Sequence, residues 1–272
     1  MSRNQTTPPP ILRDKDYSAP SLFVPENLLR EARRQMAIPA GQVPRICVLD
    51  PDGDIVDSLQ GRDETERNVH WACYHTELNN FRIGDLDLGI IGYTVGAPFA
   101  VLVAEQLFAS GCELLINVTS SGVILPDREP PFFVLIEKAL RDEGASYHYL
   151  PPSDFADADP ALLACLDNGL SHLKTTVLRG ATWTTDAPYR ETETAIEQAR
   201  GMGILAVEME AAALYAFARA RGKAVVCFAH VTNRMAQVEG DFEKGEASGS
   251  RDALEVIAAT ATAWLASEIN DG

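Results

Sequence analysis

The sequence predicts an α/β fold: a single three-layer domain whose central mixed, mostly parallel sheet is flanked by helices. Short apolar runs alternate with amphipathic stretches along the chain, which is the pattern of a sheet covered by helices. Apolar residues make up 46% of the 272 residues, enough for one sizeable core. The start of the chain is polar and rich in proline, and no later break in composition divides the rest. We therefore predict an N-terminal arm and leading helix over 1–40 and one domain over 41–272.

Strands are predicted where apolar and β-branched residues run together between turn-forming residues. The segments predicted as strands are 45–50, 87–96, 112–122, 175–183, 204–210 and 224–234. Residues 132–140 fit neither the helical nor the strand period cleanly, but their β-branched and aromatic start favours a strand. Residues 151–160 show no packing pattern and are expected to form a loop.

Helices are predicted between these strands from the residues at their ends. One begins with a proline and ends at a glycine, over 98–111. Others are expected over 189–203 and 210–222, which end in glycines, and over 250–269, which starts with a serine. Helices that alternate with strands in this way favour a largely parallel sheet.

Charge and composition exclude several classes of partner. The chain has 23 Lys and Arg against 39 Asp and Glu, a net charge of −16, which repels nucleic acid and anionic lipid. No apolar run is long enough for a transmembrane helix, and the first residues lack the apolar core of a signal peptide. The five cysteines form no Cys-X-X-Cys pair and mostly lie in apolar runs. We expect a cytoplasmic protein with no nucleic-acid or membrane partner.

Two acids, Glu208 and Glu210, end a predicted strand directly before a helix. Alternate residues of a strand share a face, so both carboxylates are expected on one side, at the strand end where α/β sheets bind ligands. Carboxylates there are costly unless donors reach them, and the two adjacent hydroxyls of a ribose would be such donors. The alternative is that both acids cap or solvate the following helix, because acids favour helix N-termini.

The segment around these acids resembles the nucleoside phosphorylase superfamily, in particular its uridine phosphorylase-like branch, in which a Glu-Met-Glu run ends a central strand. Further similar segments follow the family's order, over 92–107, 114–124, 144–152 and 230–234. The similarity spans about 45–268. It implies the nucleoside phosphorylase-like fold, with strands at both 132–140 and 144–152.

The resemblance implies cleavage of the N-glycosidic bond of a nucleoside by phosphate, giving free base and (deoxy)ribose 1-phosphate. No metal and no organic cofactor would be needed, with inorganic phosphate as co-substrate. The C1′–N bond would lengthen, giving a sugar with oxocarbenium character, and enzymatic help would be electrostatic and positional. Glu210 would bind the ribose hydroxyls with Glu208 in support, and Met209 would pack under the sugar.

The base side of the implied site contains Trp183, Asn233 and Arg234. Trp183 stands where the family stacks an aromatic ring on the base, although a core or lid tryptophan is the alternative. Asn233 and Arg234 stand where the family contacts or supports the leaving base, and Asn233 replaces the purine-binding aspartate of many members. An ion pair at the surface or at an interface is the alternative for Arg234.

The phosphate side departs from the family. Gly53 and Asn117 stand where phosphorolytic members have arginines. In the family a neighbouring subunit supplies a third arginine, and only Arg67 or His70 could take its place here. A phosphate dianion without cationic partners is poorly held. The residues implied on this phosphate or water side are Asp50, Asp52, Gly96, Thr119, Ser120, Ser121 and Gly122.

Hydrolysis is therefore an alternative, with Asp50 or Asp52 as general base on water. Turn formation is the other interpretation of these aspartates. The implied catalytic residues are then Glu210, Asn233 and Arg234, with Asp52 added for a nucleosidase. A noncatalytic nucleoside-binding or storage protein is a third hypothesis.

The family completes each active site with residues of a neighbouring subunit. The resemblance thus implies a homo-oligomer, either a dimer or a trimer of dimers. The apolar helix over 211–217 and the aromatic run over 70–75 are the candidate interfaces.

Overall fold

Ten strands form one mixed sheet in the computed structural model, which describes residues 7–125, 128–235, 239–242 and 244–271. The strands are β1 (Ile46–Asp50), β2 (Thr65–Arg67), β3 (Asn79–Ile83), β4 (Leu86–Gly92), β5 (Leu114–Val123), β6 (Phe132–Asp142), β7 (Phe155–Asp157), β8 (Val177–Thr185), β9 (Ile204–Glu208) and β10 (Ala224–Asn233). The helices are α1 (Pro25–Met36), α2 (Asp54–Gln60), α3 (Ala97–Ala109), α4 (Pro160–Leu170), α5 (Glu193–Gly201), α6 (Ala211–Arg221) and α7 (Ser250–Asp271). The predicted single α/β domain is confirmed.

The sheet is partly closed. Strands β5, β9, β8, β6 and β10 pair in a ring, because β10 bonds to both β5 and β6. The parallel pairings join β1 to β4 and β5, β5 to β10, and β6 through β8 to β9. Antiparallel pairings close the ring and add the edge strands β2, β3 and β7.

The pairing of β5 determines where a site can form. Strands β1, β4, β5 and β10 run parallel to one another, so their carboxyl ends meet at one edge of the sheet, the usual position of ligands in α/β folds. Strand β9 runs antiparallel to β5, with Val207 opposite Gly122. The chain after β9 therefore runs back along β5 and enters α6 beside that edge.

Local sequence explains several helix ends. Asp159 accepts the Ala161 N–H (2.8 Å) at the start of α4, and Thr192 accepts the Ala195 N–H (3.3 Å) at the start of α5. Gly222 ends α6 in the left-handed conformation, which glycine adopts without steric cost.

Several sequence-based assignments before β8 are wrong. The strand expected over 144–152 is instead a 3₁₀ helix, Ala145–His148, because the Glu143 carboxylate accepts the Ser146 N–H (2.9 Å) and closes a turn. The expected loop over 151–160 contains β7, which pairs with the edge of β6. The strand expected over 87–96 ends at Gly92, because Tyr93 turns to a positive φ and donates its N–H to the Asp50 carbonyl (3.0 Å).

The described part of the N-terminal arm lies on the domain surface. Helix α1 buries Leu29 and Ala32 and packs against α3. Tyr17 donates its hydroxyl to the Tyr147 carbonyl (3.3 Å). Among the described helices, none has the length and apolar character needed to cross a membrane.

Candidate active site

Most of the predicted site residues meet where the carboxyl ends of β1, β4, β5 and β10 face the β9–α6 junction. Two contacts define this place. Gly96, which begins α3, donates its N–H to Glu210 Oε1 (2.7 Å), and Ser120 on β5 donates its N–H to Asp52 Oδ2 (2.7 Å). The site thus joins four segments that are distant in the sequence.

Glu210 is the buried acid of the site, with 1% of its surface exposed. Its carboxylate accepts hydrogen bonds from the Gly96 N–H, the Thr119 hydroxyl and the Met209 N–H (3.3 Å). Burial, together with repulsion from Glu208, raises its pKa to about 8. At neutral pH the unliganded protein therefore holds Glu210 mostly as the neutral acid.

Glu208 has a different environment, although it too is only 3% exposed. One carboxylate oxygen accepts the N–H groups of Glu210 and Ala211 (both 2.7 Å) at the start of α6. The other accepts the hydroxyls of Thr182 (3.1 Å) and Thr184 (2.5 Å) on β8. Burial raises its pKa, and these donors oppose the rise. Glu208 therefore caps α6 and ties it to β8.

The two acids do not share a strand face. Strand β9 ends at Glu208, and Glu210 lies outside the strand at φ −129°, ψ −37°. The strand expected over 204–210 was thus two residues too long, because Glu208 draws the following N–H groups into the first turn of α6.

Asp50, the last residue of β1, and Asp52 differ in the same way as Glu208 and Glu210. Asp50 is buried, and its Oδ2 accepts the N–H groups of Ile55 and Val56 (both 2.9 Å) at the start of α2. Burial raises the pKa of Asp50 to about 7. Asp52 is exposed as a residue, but its carboxylate accepts the Ser120 N–H. Loss of hydration around the carboxylate raises its pKa.

Small and hydroxyl residues of β5 line the site. The Ser120 and Thr232 hydroxyls are 2.8 Å apart, and Ser121 donates its hydroxyl to the Thr119 carbonyl (3.2 Å). A Cβ atom on Gly122 would lie 3.2 Å from Val207 and 3.3 Å from the Met235 side chain, so glycine permits this close packing. Gly96, at φ +93°, adopts a conformation that favours glycine.

The predicted base-side residues lie around the ends of β8 and β10. Trp183 is buried beside Ile124 and Val207, and its indole N–H donates to Asp142 (3.0 Å). Asn233 is also buried, and its amide bonds to the Ser121 carbonyl (3.4 Å). Its Oδ1 accepts the Met235 N–H (2.8 Å), so the protein already holds both ends of this amide.

Arg234 and Met209 are less enclosed. The Arg234 guanidinium forms an exposed ion pair with Glu129, and its backbone N–H donates to Asp241 (3.1 Å). Met209 is half-buried between the two glutamates. The structure brings both residues to the rim of the site.

A narrow polar cleft adjoins Asp52 and contains residues that sequence reasoning missed. It is lined in part by Asp54, His230 and Gly249 in addition to Ser120. Lys244 forms an ion pair with Asp54. Burial lowers the pKa of His230 to about 4, so its ring is neutral at neutral pH. No sequence signal marks Lys244, because the loop that carries it has no motif and is distant from β1 in the chain.

Other residues considered in the sequence lie outside the site of this protomer. Arg67 pairs with Glu77 (3.1 Å) at the surface. Asn117 is fully buried in β5, and neither polar atom of its side chain has a hydrogen-bond partner among the described residues. The described part of the chain holds no group of three or more His, Cys, Asp or Glu residues arranged to bind a metal ion.

The two segments suggested as interfaces differ in exposure. All residues over 211–217 are buried in the core, because α6 packs under the ring of strands, so this helix offers no apolar surface to a neighbour. In the aromatic run, Trp71, Ala72 and Cys73 are buried, whereas Tyr74 and His75 are exposed. The second suggestion therefore stays a prediction.

This combination of buried acids and hydroxyl groups at the carboxyl ends of parallel strands is typical of α/β proteins that bind polar small molecules. A family model for the phosphorylase superfamily matches residues 45–264. The chain therefore belongs to the phosphorylase superfamily, which confirms the resemblance in its sequence.

Curated relatives are similar over most of their length. A guanosine phosphorylase of Halorubrum lacusprofundi is 26% identical over 188 residues, covering 69% of this chain and 77% of the relative. A uridine phosphorylase of Thermococcus kodakarensis is 25% identical over 239 residues, covering 82% and 86%.

Solved structures share the fold. A uridine phosphorylase from Vibrio fischeri, complexed with 6-hydroxy-1-naphthoic acid, has a TM-score of 0.67 at 22% identity, covering 80% of this chain and 90% of that one. A purine nucleoside phosphorylase from Toxoplasma gondii, in complex with immucillin-H, has a TM-score of 0.68 at 16% identity, covering 84% and 96%.

Proposed function

We propose that this protein cleaves the N-glycosidic bond of a nucleoside by phosphorolysis, giving free base and (deoxy)ribose 1-phosphate. The observation that carries the proposal is Glu210, a buried acid at the start of α6 that accepts the Gly96 N–H and faces the hydroxyl-rich end of β5. Membership of the phosphorylase superfamily and relatives named as guanosine, uridine and purine nucleoside phosphorylases support it.

On the sugar side, Glu210 is the catalytic residue. Its carboxyl group accepts the ribose hydroxyls, and the negative charge it gains on ionisation stabilises the oxocarbenium-like sugar of the transition state. Glu208 is a positioning residue, because its four hydrogen bonds fix the turn that carries Glu210. Met209 packs under the sugar.

On the base side, we assign three residues. Trp183 forms the wall beside the base, since its buried ring lies next to Met235 and Val207. Asn233 is fixed by Ser121 and Met235, and the remaining lone pair of its Oδ1 can accept a hydrogen bond from the base. Arg234 supports the negative charge that moves onto the leaving base.

On the phosphate side, the Ser120 N–H is the anion-binding point. A carboxylate oxygen of Asp52 occupies it at 2.7 Å, which is the environment that a phosphate oxygen requires. Phosphate takes this place when Asp52 moves aside, with a further hydrogen bond from the Ser120 hydroxyl. Thr119 lines the same place while its hydroxyl stays on Glu210. Ser121, Gly122 and Gly96 form the backbone around it.

One contact favours a second candidate, hydrolysis. The same Asp52 carboxylate could accept a proton from a water that attacks the sugar, in the way of a general base. Asp50 does not share this role, because both of its hydrogen bonds go to the start of α2.

We further propose a homo-oligomer, either a dimer or a trimer of dimers, in the cytoplasm, with no nucleic-acid or membrane partner. Tyr93 and Val95 support the assembly, because they expose 60% and 52% of their surface in the loop next to Gly96. Apolar groups beside a site are expected where a neighbouring subunit completes it.

The test is product analysis with purified protein and a panel of purine and pyrimidine nucleosides, with and without inorganic phosphate. We expect ribose 1-phosphate or its deoxy form, produced only when phosphate is present. Release of free sugar at the same rate without phosphate would replace phosphorolysis by hydrolysis. Binding of a nucleoside without cleavage under either condition would favour the noncatalytic alternative.

A further inference from the structure

The phosphate side lacks the two arginines that Gly53 and Asn117 replace. Two arginines that flank the β1–α2 segment in the sequence are paired elsewhere. Arg45 bonds to Glu113 and Glu268, and Arg62 bonds to Glu64. These pairs lie at the surface and not in the cleft beside Asp52. A dianionic co-substrate still requires positive charge.

Lys244 is a cation held at this cleft. Its side chain is only 20% exposed, and its ammonium group bonds to the carboxylate of Asp54. Asp54 lines the same cleft as Asp52 and Ser120. The ammonium group is therefore attached, through Asp54, to a residue that lines the cleft with the anion-binding N–H.

The backbone around Lys244 is fixed against the end of β10. A Cβ atom on Gly249 would lie 2.4 Å from the Lys244 carbonyl and 2.1 Å from the His230 ring, so Gly249 packs closely against both the Lys244 backbone and His230. His230 in turn pairs with Ser120 in the register of β10 and β5. Packing thus connects Lys244 to the strand position that supplies the N–H.

The positive charge of Lys244 also acts on the Asp52 carboxylate. Loss of hydration raises the pKa of Asp52, while the Ser120 hydrogen bond and the positive charge of Lys244 oppose that rise. Because the Asp52 carboxylate occupies the proposed phosphate position, an anion that replaces it would interact with Lys244 in the same way.

We propose that Lys244 is the phosphate-binding cation of this protein, held in place by Asp54 and acting where the family uses arginines. The inference rests on the proposed phosphorolysis. An ammonium group has three N–H donors, so one can stay on Asp54 while the others bind phosphate oxygens. The paired fork of an arginine is absent, and phosphate is held by one point charge and by hydroxyl and backbone donors.

The test compares Lys244→Met and Lys244→Arg with the wild type by steady-state kinetics at varied phosphate and saturating nucleoside. We expect Lys244→Met to raise the KM for phosphate by at least tenfold while the KM for nucleoside changes less than twofold. Lys244→Arg should keep most of the phosphate affinity. Arg251→Met is the matched control, because Arg251 forms an exposed ion pair with Glu246 nearby and should leave both constants unchanged.

A second measurement, the melting temperature with and without inorganic phosphate, serves if a variant is too unstable for kinetics. Phosphate should raise the melting temperature of the wild type and of Lys244→Arg but not that of Lys244→Met. If phosphate is required but Lys244→Met keeps the wild-type KM and thermal shift, only the assignment of Lys244 is overturned. If the wild type releases free sugar without phosphate, the proposed function itself fails.

Discussion

The β9–α6 junction and the β1–α2 loop are built alike. In each, one acid is the last residue of the strand and a second acid follows two residues later. The first acid of each pair, Glu208 or Asp50, accepts two backbone N–H groups of the helix that follows. The second, Glu210 or Asp52, accepts one N–H from a distant segment. One acid of each pair therefore builds the fold, and the other faces the site.

The two regions differ in how firmly the second acid is held. Glu210 is fully enclosed and has three donors, whereas Asp52 lies at an exposed position and has the Ser120 N–H. We infer that Glu210 is a permanent part of the sugar side, while Asp52 occupies its position only until an anion takes it.

The largest effect is expected on the sugar side. Glu210→Gln should reduce kcat by about 30- to 1000-fold, because losing a charged hydrogen-bond partner of a transition state costs about 2–4 kcal/mol. Near pH 4.5, where the folded wild type holds Glu210 as the neutral acid, thermal unfolding should change little, since the amide fits the same space and still accepts the Gly96 N–H. Glu197→Gln, an exposed change on α5, is the control for activity. Wild-type turnover in Glu210→Gln would remove this residue from the catalytic site.

The same variant has a defined pH signature in stability. Because the folded protein raises the pKa of Glu210 from 4.5 to about 8, the neutral acid contributes stability that is fully present below about pH 4.5 and is lost as the pH rises from there to about 8. Glu210→Gln cannot ionise. The free energy of unfolding of this variant, measured by urea denaturation, should therefore gain on that of the wild type between about pH 4.5 and 8 and keep a constant lead above pH 8. A constant difference between pH 4.5 and 8 would contradict the raised pKa.

The second prediction concerns the structural acid of the same region. Glu208→Ala should lower the free energy of unfolding by about 3 kcal/mol, because two N–H groups and two hydroxyls lose their buried acceptor. Glu208→Gln is the matched control, since its amide oxygen can accept the N–H pair and its NH₂ group can donate to the threonine oxygens. A loss of activity without loss of stability in Glu208→Ala would instead make Glu208 a ligand of the sugar.

Sequence reasoning reached most of the fold because buried strands and helix ends leave local signals. The first parts of β1, β5 and β10, residues 46–49, 114–116 and 224–229, are wholly apolar, which predicts burial on both faces. The short edge strand β2 and helix α2 carry weaker signals and were missed. The closure of the ring depends on β10 pairing with two strands at once, which is a long-range property that no local period encodes.

The sequence predicted where the site lies, but not which acid stabilises the fold and which faces the site. Glu208 and Glu210 look equivalent in the sequence, and only the donors from Thr182, Thr184 and Gly96 separate their roles. Lys244 could not be found from the chain alone, because its position beside Asp54 depends on how the loop after β10 folds back.

The smallest effect, and the one that best separates the two regions, is expected for Asp52→Asn. Asparagine keeps an oxygen that accepts the Ser120 N–H but removes a negative charge from the proposed phosphate position. Like-charge repulsion at a partly exposed position is worth about 1 kcal/mol, so the KM for phosphate should fall by about fivefold at unchanged kcat. The charge-matched control is Asp63→Asn, at an exposed left-handed position that asparagine also tolerates.

Under hydrolysis the expectation reverses, because loss of a general base on water would abolish turnover. Activity of Asp52→Asn as a function of phosphate therefore distinguishes a carboxylate that yields its place to phosphate from one that activates water.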